Sequence, residues 1–481
     1  MKTSAKSATV VVVCGVLSIS AALLGQGRHD YSTQGAAQSG VSDPGVRAGS
    51  VQVGTPLPGL SADELQYFQD GLTRFIEVDS VQGAVAGETG AGLGPAFNSN
   101  SCASCHVQPA IGGSSPSASQ YPNLGANPQI AVANDAGAAN AIPFFVTPDG
   151  PVREARFPFV VSNGRVTSTP DGGVHDVFTI AGRSDAPNCN MPQPNFQQME
   201  QLGNIIFRIP TPVFGAGLVE NIPDATILAN MSSNAALKQT LGISGHPNYS
   251  GNDGTITRFG WKAQNKSLEI FAGEAYNVEM GVTNELFPNE REGAPAACLY
   301  NLTPEDATNF NSQGTQIPSD IVGFADFMRF LAPPPPSADG IPGNPSAQSI
   351  QSGRSVFSQV HCDMCHTPSL ATSPSSFSPA LRNKTVPLFS DLLVHHMGSG
   401  LADNVSQGAA GPDEFRTAPL WGVGQRIFFL HDGRATPANG GLLRAIEDHA
   451  GQGSEANQVI SLFNGRSSSE QQDLLNFLRS L

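Results

Sequence analysis

Cys102-Ala103-Ser104-Cys105-His106 recurs as Cys362-Asp363-Met364-Cys365-His366. Cys-x-x-Cys-His is the attachment signal for haem c. The two thiols form thioethers with the porphyrin vinyl groups, and the His lies under the iron as its proximal ligand. Two other chemistries use paired cysteines. A zinc site made from two Cys-x-x-Cys pairs usually keeps them within about 20 residues of each other, whereas most of this chain separates the two copies. A thioredoxin-like dithiol needs a βαβ context, and the flanking sequence has none. The trailing His in both copies selects haem. The reading is two covalent haems c, one on Cys102 and Cys105 with His106 as iron ligand, the other on Cys362 and Cys365 with His366.

Working outward, each motif follows a helix. Ser61-Ala62-Asp63-Glu64 opens the first, with Ser61 as N-cap and Glu64 as its capping-box partner. Leu65, Phe68, Leu72, Phe75 and Ile76 follow at helical spacing. Residues 347–360 form the second, with Ile350, Val356 and Phe357 apolar, and Ser467 to Glu470 caps a last helix carrying Leu474, Leu475, Phe477, Leu478 and Leu481. A helix feeding the haem motif and a closing helix packing back on it is the order of a cytochrome c domain. Residues 321–331 read as the closing helix of the first half, with further helices starting at Pro223 and over 266–277. Residues 107–200 are dense in Gly, Pro, Ser and Asn, and hold short apolar runs at 157–161 and 177–180 that read as strands. Pro333-Pro334-Pro335-Pro336 is a stiff spacer. The expected fold is mainly α. Two cytochrome c-like domains, 61–332 and 345–481, flank a Pro-rich linker at 333–344, with long irregular loops and a small β-containing insertion at about 107–200.

The bulk numbers agree with a cofactor-filled protein. Among 481 residues only 14% are charged and 7% aromatic, with 52 Gly and 37 Pro. Two buried porphyrins supply apolar volume that the side chains lack. A net charge of −15 argues against nucleic acid and anionic membrane surfaces as partners. Residues 1–26 have Lys2 and Lys6 followed by an apolar run from Ala8 to Leu24, which reads as a secretory signal or an N-terminal anchor. Residues 27–60 read as a flexible linker. Of seven cysteines, Cys14 falls in the signal-like run and four serve the haems, leaving Cys189 and Cys298 as an even pair fit for a disulfide in an oxidising compartment. Periplasmic or other extracytoplasmic location suits the haem reading, because bacteria attach haem c outside the cytoplasm.

Further phrases make the chain resemble the di-haem oxidoreductase family, relatives of bacterial di-haem cytochrome c peroxidases and of MauG. They are Gly94-Pro95-Ala96-Phe97-Asn98, Phe207-Arg208-Ile209-Pro210-Thr211-Pro212, Phe259-Gly260-Trp261-Lys262-Ala263, Val278-Glu279-Met280-Gly281, Phe415 to Trp421, and Phe429 to Arg434. The resemblance implies a reactive N-terminal haem and a C-terminal haem that receives electrons. It implies Trp261 as the bridge between them, and Glu279 as the distal acid and base that moves a proton during O–O cleavage. By the same resemblance His449, in the phrase after His431-Asp432-Gly433, is the distal ligand of the second haem, with Met397 as the alternative and His395 and His396 as nearby rivals. His431 falls where relatives pack a His against haem propionates. Calcium between the haems is implied by Thr417-x-Pro419, although Ile209 stands where relatives use an Asn ligand. The relatives' distal Gln falls near Phe271, and their Trp-Asp-Gly-Arg is Trp261-Lys262-Ala263-Gln264 here.

The activity implied is a peroxidase-like oxidoreductase, with peroxide or another oxidant as substrate and a small cytochrome or cupredoxin as electron donor. The resemblance also admits a homodimer. Two other functions fit the same motifs: a di-haem electron carrier with both irons six-coordinate, and an oxidase of a protein or thiol substrate.

Overall fold

Two helix pairs, one beside each Cys-x-x-Cys-His, set the positions of the haem motifs. In the first, Ala62–Ile76 begins with the expected capping box: Glu64 N–H donates to Ser61 Oγ at 3.2 Å and Ser61 N–H to Glu64 Oε2 at 2.7 Å. This helix buries Phe68, Gly71 and Phe75 against Asp320–Phe330. Phe75 meets Phe327 with ring centroids 4.8 Å apart, and also touches the His106 ring edge-on at 6.1 Å. The helices cross at Gly71, where a Cβ would stand 2.2 Å from the carbonyl oxygen of Gly323.

The second pair repeats the device. Ala347–Gln359 packs on Ser468–Ser480, which opens with a Ser467/Glu470 capping box. Phe357 meets Phe477 at 5.7 Å and His366 at 6.3 Å. Gly353 marks the crossing: a Cβ there would lie 1.8 Å from the Asp473 carbonyl oxygen. The haem motif is therefore repeated together with its helical frame. Gly353→Ala should force the helices apart and cost about 1–3 kcal/mol, the usual range for overpacking. Denaturation of the haem-loaded protein checks this, and unchanged stability would contradict the close crossing.

The computed structural model describes residues 40–49, 52–117, 127–291, 293–309 and 317–481. The signal-like stretch 1–26, Cys14, His29 and the start of the 27–60 linker lie outside them. Thirteen α-helices and thirteen short strands occur among the described residues, the strands in sheets of two or three. The fold is mainly α. None of the described helices is long and apolar enough to cross a membrane.

The insertion holds five of the thirteen described strands. Its strand Glu154–Arg156 is central in a three-stranded antiparallel sheet, between Val174–His175 and Ile206–Arg208, and pairs Glu154 with Arg208. Cys189 and Cys298 are joined as a disulfide. The expected helix over 266–277 runs from Leu268 to Met280: Ser267 caps it, accepting from Ile270 N–H at 3.2 Å, and Gly281 ends it with a left-handed φ of 68°.

The residues after Pro333–Pro336 share a core with those before it. Leu370, Leu381, Leu388 and Leu393 join the large cluster built around Phe68, Phe97 and Phe327. A second cluster gathers Val356, Phe357, Phe389, Leu474 and Phe477 around the second motif. All described residues belong to one compact unit. The polyproline stretch thus runs along a continuous body.

Candidate haem sites

Cys102, Cys105 and His106 line one cavity, and Cys362, Cys365 and His366 line another. His106 Nδ1 hydrogen-bonds the Gly113 carbonyl at 3.1 Å, and His366 Nδ1 the Phe389 carbonyl at 3.0 Å. A backbone acceptor on Nδ1 fixes the tautomer and leaves Nε2 as the lone-pair donor, as an iron ligand requires. Burial pushes both imidazoles down to about 4, so both are neutral.

The second cavity also fits the acidic edge of a porphyrin. Arg426 is buried there with Nε and Nη2 unpartnered, and Arg416 is half-buried there without a carboxylate partner. Burial lowers each guanidinium to about 10, and both remain charged. Buried cations need anions. The two propionates of a haem are of the right kind.

His449 and Met397 both line this second cavity. His449 follows the helix Gly441–Glu447, and its Nδ1 bonds the Ala445 carbonyl at 2.6 Å, leaving Nε2 uncommitted. It lies close to His366. His395 is placed differently from a ligand. Its Nδ1 is 2.7 Å from Glu455 and its Nε2 is 3.0 Å from Asp391, so both nitrogens donate to carboxylates. Burial opposes a charge on the ring, and Asp391 beside it favours one. His396 is exposed and binds Asp413 and Glu414. Cys365, Asp391 and His395 are the one group of such donors near enough to share a metal ion among the described residues, and Cys365 is also the second thiol of the Cys-x-x-Cys-His run.

Trp261 lines both cavities. Four of the sequence phrases meet around it. Its Nε1–H donates to Ile209 O at 2.9 Å, Arg416 N–H to Trp261 O at 2.8 Å, and Ile209 N–H to His431 O at 2.8 Å. His431 stacks on Phe415 at 4.2 Å and meets Trp261 edge-on at 6.4 Å. Beside this wall Lys262 is fully buried. Its ammonium donates to the Gly411 and Glu414 carbonyls at 2.8 and 2.9 Å, pairs with Asp403 at 3.1 Å, and lies 4.1 Å from the Phe415 ring centre. Of the residues linked to calcium, Thr417 gives its carbonyl to Ser390 Oγ at 2.5 Å and Ile209 gives its own to Trp261.

Glu279 lies in the first cavity at the end of the Leu268–Met280 helix. The Gly94 to Asn98 phrase clamps that end: Gly94 N–H donates to Met280 O, and Asn98 N–H to Glu279 O at 2.8 Å. Gly94 must be glycine, since a Cβ would stand 2.2 Å from Gly281 O. Asn98 Nδ2–H donates to Glu279 Oε2 at 2.9 Å, and Asn98 Oδ1 accepts from Val177 N–H. Burial, with Glu154 next in weight, holds the Glu279 carboxyl well above the usual range. Phe271 and Trp261 add apolar wall.

Three residues of this junction were not singled out by sequence reasoning: Glu154 and Arg156 in the first cavity, and Arg426 in the second. Gln264 supplies an amide where the Phe271 position has none, and its Oε1 is buried without a partner. The Phe429 to Arg434 phrase sits just after Arg426 and could have pointed to it. No local pattern marks Glu154 and Arg156.

Residues 164–481, well over half of the chain, match the family described as "di-haem oxidoreductase, putative peroxidase". No curated protein matches the chain. Among solved structures, hydrazine synthase of Kuenenia stuttgartiensis aligns at 16% identity and a TM-score of 0.26, over 56% of this chain and 88% of that one. A MauG-like protein associated with microbial copper homeostasis aligns at 16% and 0.26, over 56% and 89%. The diheme peroxidase BthA from Burkholderia thailandensis E264 does so at 16% and 0.26, over 56% and 86%.

Proposed function

Since the chain belongs to the di-haem oxidoreductase family, we propose that it is an exported, peroxidase-like enzyme carrying two covalent haems c. The contrast between the two cavities carries this reading. The first has one imidazole, His106, and carboxyls at Glu279 and Glu154; the second has His449 as well as His366. When bound, the haems supply an iron centre for cleaving a peroxide O–O bond and a store for the electrons that cleavage consumes.

The chain's residues divide the work. Cys102, Cys105 and His106 hold the reactive haem, and Glu279 moves a proton from the near peroxide oxygen to the leaving one. Cys362, Cys365, His366 and His449 hold the second haem, with Arg416 and Arg426 against its acidic edge. Electrons enter at the second site from a small cytochrome or cupredoxin and cross the wall at Trp261. A net charge of −15 favours a donor with a basic face. Calcium has no part in this reading: Ser390 engages the Thr417 carbonyl, and the junction already carries the Lys262 ammonium. An extracytoplasmic location is supported by the Cys189–Cys298 disulfide, which suits an oxidising compartment.

The test is expression with a cytochrome c maturation system. The denatured protein should retain haem on a gel and carry the mass of two porphyrins. Cys362→Ala with Cys365→Ala should leave one. The wild type should consume peroxide with a reduced cytochrome or cupredoxin. An apo mass, or no reaction with peroxide, would overturn the reading.

A further inference from the structure

The first cavity holds two carboxyl groups in contact and one guanidinium free to serve them. Glu154 and Glu279 line the same cavity wall, with their carboxyl groups within hydrogen-bonding reach of each other. Arg156, two residues along the same strand, donates Nε–H to Glu154 Oε1 at 2.7 Å, and its Nη1 is held by the Gly172 carbonyl at 3.2 Å. Both side chains of this ion pair are close to nine-tenths buried. On the other side, the Asn98 amide is fixed by Val177 N–H so that its Nδ2–H faces Glu279. The other charges nearby are committed elsewhere. Arg208, opposite Glu154 in the sheet, binds Asp403 and Gln407. Arg153 donates to the Asp432 carbonyl, and Glu274 accepts from the Asn265 amide. Cys105 ceases to titrate once it is a thioether.

Two carboxylates in contact cannot both ionise unless cations match them. Here Arg156 is the one guanidinium hydrogen-bonded to the pair, while Arg208, held by Asp403, adds only a more distant pull on Glu154. We infer that Glu154 is a positioning residue that shares one proton with Glu279, so the first cavity presents an acid and its conjugate base together. Arg156 selects which partner is ionised. Burial works against a charge on Glu154, but Arg156 outweighs it and holds that carboxyl below its usual range. Glu279 therefore carries the proton.

This inference rests on the peroxidase-like reading for its use. A protonated Glu279 alone can give a proton but cannot take one. With Glu154 behind it, Glu279 can accept a substrate proton as its own passes to Glu154, and the return of that proton restores the acid. Glu154 thus fills a role left open by the apolar residue at Phe271.

Infrared spectroscopy of the haem-loaded full chain tests the sharing directly. The wild type should show a protonated carboxyl band that persists above neutral pH, and Glu279→Gln should remove it. In Glu154→Gln the neighbouring negative charge is gone and Arg156 is left unpaired; both lower the Glu279 midpoint. The band should then titrate at least about one pH unit lower, with haem content unchanged. A midpoint equal to wild type would overturn the inference. If Glu154→Gln fails to load haem, Glu154→Asp draws the charge back by one methylene and should also lower the midpoint; no shift there is equally contradictory. The band reports on sharing whether or not peroxide is the substrate. A protein that ignores peroxide but shows the shifted midpoint keeps the shared proton and loses the peroxidase reading.

Discussion

Glu279→Gln slows the reaction of the reduced protein with peroxide by about 10²–10⁴, the usual contribution of one acid–base group. Gln keeps the shape and can still accept from Asn98 Nδ2–H, the contact that holds Glu279 at 2.9 Å. The Gly94 to Asn98 clamp uses backbone groups at this helix end, so it survives the substitution. What is lost is the ability to carry a proton between two oxygens. Haem content and both reduction potentials should stay close to wild type. Stopped-flow mixing with peroxide checks this, and a mutant as fast as wild type would remove Glu279 from the chemistry.

His449→Met raises the potential of the second haem. The expected shift is on the order of 0.1 V or more, within the roughly 0.8 V that axial ligands span. An imidazole pair stabilises ferric iron, whereas a thioether favours the ferrous state. His449 is suited to ligation because Ala445 O holds its Nδ1 and burial lowers its affinity for a proton, leaving Nε2 neutral. Ser454 Oγ–H donates to the His449 carbonyl at 2.5 Å and fixes the turn that carries the ring. Redox titration with spectra at each step measures the change. An unchanged potential and spectrum would move the ligand to Met397, which lines the same cavity.

The helical frames of the two Cys-x-x-Cys-His runs were legible because their signals are local. Capping boxes at Ser61 and Ser467, helical spacing through Phe75 and Phe357, and the Cys-x-x-Cys-His runs need no long-range information. The close crossings at Gly71 and Gly353 were not, since only the partner helix shows why a side chain is excluded. The Leu268–Met280 helix extends beyond the expected end at 277 to Gly281, a C-cap that can be read from sequence. Pro333–Pro336 read as a division because a spacer looks the same whether or not its flanks share a core; Leu370 and Leu393 show that they do.

Within the sites, the residues carried by family phrases lie on cavity walls: Trp261 between the cavities, Glu279 in the first, His449 and Met397 in the second. Glu154 and Arg156 were invisible for a physical reason. They lie in an aperiodic insertion, and only the pairing of Glu154–Arg156 with Ile206–Arg208 brings them to the cavity that also holds Glu279. His395 could not be separated from a ligand by sequence, because the carboxylates that occupy both its nitrogens include Glu455, far along the chain.

The central claim is that the two sites differ, one iron open to a substrate and the other closed by two imidazoles. The ferric electron paramagnetic resonance spectrum of the haem-loaded protein tests this most directly. The account predicts a high-spin signal and a low-spin signal in one sample, with Cys102→Ala and Cys105→Ala together abolishing the high-spin one. Two low-spin signals would contradict it and make the protein an electron carrier.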